Sequence, residues 1–132
     1  MMRKHLAAAA TFERDERLRL GPAAVAAGKI AKVDAEREIG AWETIRQWFA
    51  GERMPLLGWS AEAGGYSWTD LASTALRALE RREAACARNP DDAARAERRD
   101  WVRWINDRVS EERDHIASIN ERLRSGEKAK AA

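Results

Sequence analysis

Apolar residues recur along this chain at three- and four-residue spacing, and no stretch alternates apolar with polar over a strand's length. The pattern predicts helices throughout. A first helix is expected over residues 3–20, broken by Gly21-Pro22, with Pro22 suited to the first position of the next one. That second helix is read over 22–50 and closed by Gly51. Its later half carries a stripe of Trp42, Ile45 and Phe49 with Ile39 and Trp48 beside it, whereas Val25, Ile30 and Val33 make a lighter first half. Gly28 and Gly40 each weaken it by roughly 1 kcal/mol relative to Ala, and Gly40 marks a place for a kink. Residues 51–66 are turn-rich yet greasy, with Pro55, Trp59 and Tyr66 among four glycines, and read as an ordered loop. Ser67-Trp68-Thr69-Asp70 then opens a third helix, 67–88, by a capping-box pattern with Asp in place of Glu. One side of it bears Trp68, Leu71, Ala72, Ala75, Leu76, Leu79 and Cys86.

Asn89-Pro90-Asp91-Asp92 separates this helix from the last, read over 91–125 and stopped at Gly126, with 127–132 as a disordered tail. In the last helix Val102, Ile105, Val109, Glu112, Ile116, Ile119 and Leu123 fall alternately three and four apart, an a/d seam with one charged interruption. At 1.5 Å per residue such a helix is about 50 Å long. A compact domain of this size is only about 36 Å across. The rod should therefore overhang its own domain and need cover, for which a second copy of the chain is the simplest candidate. The expected fold is an all-α bundle, one domain over 1–126, whose long C-terminal amphipathic helix forms a hairpin with the preceding helix and is completed by oligomerisation, a dimer being favoured.

Composition sharpens this picture. The chain has 132 residues with Lys+Arg 24 against Asp+Glu 22, so charge is dense but balanced. A large basic excess of the kind that drives non-specific nucleic-acid binding is missing. Alanine supplies much of the apolar content, so the core of a single copy is thin and association is a natural supplement. One cysteine, Cys86, excludes an internal disulfide and fits a reducing compartment. The start, Met1 to Ala10, has the basic flank of a signal peptide but too short an apolar stretch, and no window reaches the ~18 apolar residues of a membrane span. A cytoplasmic location follows as an expectation.

Candidate chemistry is sparse. Glu112 and His115 form an E-x-x-H pair, which i,i+3 spacing puts on one helical face. Locally this resembles the ferritin-like superfamily, and more closely its two-helix members that assemble a four-helix metal site by dimerising. The resemblance implies Glu80 or Glu83 of the preceding helix as the bridging carboxylate. In a helix this rich in Glu and Arg the plainer reading is a salt-bridged Glu112 with His115 at a rim, and no cofactor is expected. Arg95, Arg99 and Arg103 share one face, with Trp101 and Trp104 interleaved, and could track phosphates or an acidic surface. Glu97 and Asp100 among them suit a solvated, ion-paired face better. Trp59, Tyr66, Arg95, Arg99, Trp101, Arg103 and Trp104 are the side-chain types that dominate interface hot spots, and they are the candidate partner-binding residues. No nucleophile motif, phosphate loop or dinucleotide signature occurs, and Cys86 reads as packing. The leading expectation is a non-enzymatic helical interaction protein, such as a small adaptor, regulator or inhibitor, one possible source being a mobile element. It would bind a protein partner through Trp/Arg surfaces as a homo-oligomer. A ferritin-like metal-binding dimer and a nucleic-acid-associated protein are the alternatives.

Overall fold

The computed structural model describes residues 2–52 and 65–131, with side chains as far as residue 126. The described residues form four helices and no strand: α1 Met2–Ala26, α2 Lys32–Ala50, α3 Trp68–Arg88 and α4 Ala93–Ala131. The all-α bundle expected from periodicity is what they build.

The first boundary differs from the sequence reading. α1 runs through Gly21 and Pro22 instead of stopping at 20. Proline costs a helix one amide hydrogen bond and crowds the residue before it, and that residue here is glycine, which has no Cβ to crowd. The true stop is Gly28, at φ +71, where the Gly28 and Lys29 amides donate back to Val25 and Ala24 carbonyls at 3.0 Å. The second helix therefore begins at Lys32, not at 22. α2 continues unbroken through Gly40, whose missing side chain leaves room for the Tyr66 ring. An added Cβ would sit 2.9 Å from Tyr66 Cζ. Gly51, at φ +77, closes α2 with its amide on the Trp48 carbonyl. Residues 53–64 of the expected ordered loop lie outside the described residues, Trp59 with them.

α3 opens on the capping box its sequence announces. Ser67 Oγ accepts the Asp70 amide and Asp70 Oδ2 accepts the Ser67 amide, each at 3.1 Å. α4 begins at Ala93, capped by Asp92 Oδ1, which accepts the Arg95 amide at 3.1 Å. It does not stop at Gly126, and the segment expected as a disordered tail is helical to Ala131.

α1 lies antiparallel to α2, with the Arg3 guanidinium donating to the Trp48 carbonyl at 2.9 Å and Arg14 paired to Glu43 at 2.5 Å. α3 and α4 form the expected hairpin, joined by an Arg103–Glu83 ion pair at 3.7 Å. The two hairpins close on each other through α1 against α4 and α2 against α3. Their shared core holds Leu6, Trp42, Ile45, Trp48, Phe49, Trp68, Leu71, Leu79, Val102, Ile105 and Val109. Trp48 stacks edge-on against Trp68 at 4.9 Å between centroids, tying the end of α2 to the start of α3. Among the described residues, Trp42, Trp48 and Trp68 thus fill the core. Leu76, expected on the apolar side of α3, faces solvent instead.

Candidate interaction surface

α4 is 39 residues long, against 25, 19 and 21 for α1, α2 and α3. At 1.5 Å per residue that is about 58 Å, some 20 Å more than the longest of its neighbours. Its heptad seam divides into two parts. Val102, Ile105 and Val109 are fully buried within the chain itself, so their assignment to an oligomer seam is corrected: the chain's own core, with α1 and α3 packed directly on α4, covers them. Ile116 only leans on the core, Ile119 is half-buried, and Leu123 is 55% exposed. Past Val109 the same stripe is progressively less covered by the described residues, until Leu123 stands exposed. Around it the charges are mostly satisfied along the helix, by Arg108 with Glu111, Arg113 with Asp114 at 3.1 Å, and Arg124 with Glu121 at 3.2 Å.

The residues proposed for metal are not brought together within the chain. Glu112 is half-buried, while Glu80, Glu83 and His115 are exposed. Among the described residues no group of three His, Cys, Asp or Glu side chains has metal-binding geometry.

The arginine face is ion-paired as charge alternation suggested. Arg95 Nε sits 2.9 Å from Asp92, Arg99 3.1 Å from Asp100, and Arg103 3.7 Å from both Glu83 and Asp100. These cations are already matched, which leaves little free positive charge for phosphates. Asp92 is held below the usual carboxylate range, first by the Arg95 amide and then by its guanidinium. Trp101 is half-buried, with His5 at 5.8 Å on one side and the 44% exposed Trp104 edge-on at 5.1 Å on the other. Tyr66 is half-buried beneath the Arg37 guanidinium, 5.3 Å from its ring centre. Tyr66 and the Trp101/Trp104 pair therefore belong to two separate places, at the start of α3 and on α4.

Sequence reading missed a buried ionic cluster where α1, α3 and α4 meet. Glu13 is 1% exposed, and its Oε1 accepts from Arg82 Nε at 3.1 Å and Nη2 at 2.8 Å. Arg82 also donates to Glu16, and Arg17 lies 3.8 Å from Glu13. Burial pushes the Glu13 carboxyl above its ordinary value, with Arg82 pulling the other way. Phe12 is stacked between Arg98, 3.1 Å from its centroid, and Arg82 at 5.7 Å. Beside this cluster an open cleft of about 310 Å³ runs between α1 and α4 past Ala8, Ala9, Phe12 and Trp101. The one available signal was that Glu13 falls in register with Leu6 and Ala10 on the inward face of α1.

The chain matches no family model, and no curated protein or solved structure resembles it significantly. Among the described residues no helix is long and apolar enough to cross a membrane.

Proposed function

We propose that this chain is a non-enzymatic helical interaction protein whose working surface is the distal part of α4. The observation that carries the reading is the apolar stripe that runs from Ile116, at the edge of the core, through half-buried Ile119 to exposed Leu123 on a helix longer than the bundle that covers its first half. An isolated single helix is marginal in water, because most helical stability comes from packing an apolar face. A helix-on-helix contact supplies that packing by the ordinary i, i+3, i+7 anchoring of amphipathic recognition. The paired state of Arg95, Arg99 and Arg103 favours this reading over nucleic-acid contact, and the dispersal of Glu80, Glu112 and His115 favours it over a metal centre within one copy.

The test is capture on immobilised wild-type chain, compared with an Ile119→Asp/Leu123→Asp double variant of matching circular dichroism. The input is host-cell extract supplemented with untagged chain. The reading expects protein, whether this chain or another, to be retained by the wild type and lost from the variant. Equal retention by both contradicts it.

A further inference from the structure

We infer that the occupant of the α4 overhang is a second copy of this chain laid antiparallel to the first, with the two bundles at opposite ends of a shared helix pair. This rests on reading the distal face as an interaction surface. Its direction follows from the continuity of the stripe. Val102, Ile105 and Val109 point into the bundle, and Ile116, Ile119 and Leu123 continue them at the same three-four spacing. A straight helix drifts about 20° per heptad against this repeat, so the distal stripe stays on the side where the bundle stands. A helix resting on Ile119 and Leu123 therefore stands above the end of that bundle. A parallel copy would carry its own residues 102–109, with α1 to α3 attached, into the volume the first bundle fills. An antiparallel copy brings only its C-terminal tip to that place, and its bundle lies beyond the tip of the first. Both stripes are then covered at once in an isologous pair that closes on itself.

The charges along the overhang point the same way. Near the bundle Glu111, Glu112 and Asp114 outnumber Arg113 by two, whereas towards the tip Arg122 and Arg124 outnumber Glu121 by one. Antiparallel pairing sets the acidic base of each overhang against the basic tip of the other. Parallel pairing would stack like on like and face Glu112 with its own copy, a costly arrangement at a half-buried seam position.

Light scattering and small-angle X-ray scattering on the full chain decide the matter, with Leu123→Asp as the variant, since a 55% exposed side chain can change without touching the core. The expected result is a mass of twice 14.9 kDa and, from two overlapping α4 rods, a maximum dimension of roughly 90 Å. Leu123→Asp should reduce the mass to that of one chain while leaving the near-ultraviolet circular dichroism of the buried tryptophans, which reports the bundle, unchanged. A dimer of only about 60 Å, the length of one α4 with the bundles side by side, overturns the antiparallel arrangement. So does a dimer that survives Leu123→Asp. A wild-type chain that stays monomeric up to its solubility limit removes the second copy as occupant, and the capture experiment then reads separately whether a different chain takes its place.

Discussion

Glu13 and Glu43 make opposite electrostatic contributions, and both can be read in the pH dependence of stability. Glu43 accepts hydrogen bonds from Arg46 and from Arg14, in that order of effect, and is held at about 2 against an ordinary value of 4.5. Its contribution is complete above 4.5 and is lost as pH falls towards about 2. Glu13 is raised by burial, so its neutral form is the one the fold favours. That contribution is present below 4.5 and is lost as pH rises through the higher folded value. Urea midpoints measured across pH should therefore fall on the acid side in the wild type and fall less steeply in Glu43→Gln. Glu13→Gln should keep the acid limb and flatten the loss above it. An acid limb unchanged by Glu43→Gln would mean the Arg14–Glu43–Arg46 bridge between α1 and α2 carries no stability. Nothing in the sequence pattern singled out these partners, because a carboxylate three or four residues from an arginine occurs at many places in a chain this charged. Which of them meet across helices, such as Glu13 with Arg82, depends on how the hairpins close.

At the scale of elements, boundaries were readable wherever a local rule acts alone. The Ser67/Asp70 box, Gly51 and the Asn89–Asp92 break all lie where turn and cap chemistry puts them. The rule failed at Gly21-Pro22 because glycine before proline relieves the crowding that usually ends a helix, and Gly28 supplied the left-handed residue instead. Two of the helical glycines, Gly21 and Gly40, consequently have opposite roles. Gly40→Ala should destabilise the chain by about 1–3 kcal/mol, because its Cβ would press on the Tyr66 ring packed against the core. Gly21→Ala meets open space, so its helix propensity gain of about 1 kcal/mol acts against the added pre-proline crowding, and any net loss should stay below that of Gly40→Ala. Thermal unfolding of both variants checks this. Equal losses would show that the Tyr66 contact is not what Gly40 is for.

At the scale of the molecule, the seam from Val102 to Leu123 was visible as a heptad pattern, but its division was not. A repeat records that a face is apolar without recording what covers it, and half of this one is spent inside the chain. The uncovered half sets the expected strength of association. Six side chains, Ile116, Ile119 and Leu123 from each copy, contribute at most about 1.5–3 kcal/mol apiece if fully buried. Ile116 and Ile119 are already partly covered, and association itself costs an estimated 4–15 kcal/mol. The balance is a weak, reversible pair that separates on dilution and, given its opposed charge blocks, weakens with added salt.

Amide hydrogen exchange followed along α4 at low and high protein concentration tests this account most directly. Residues 102–109 should be equally protected at both concentrations, because their cover comes from within the chain. Residues 112–126 should exchange quickly in dilute solution and slow markedly as the concentration rises. Fast exchange over 112–126 at every concentration would contradict the account, since the stripe past Val109 would then have no second copy to cover it.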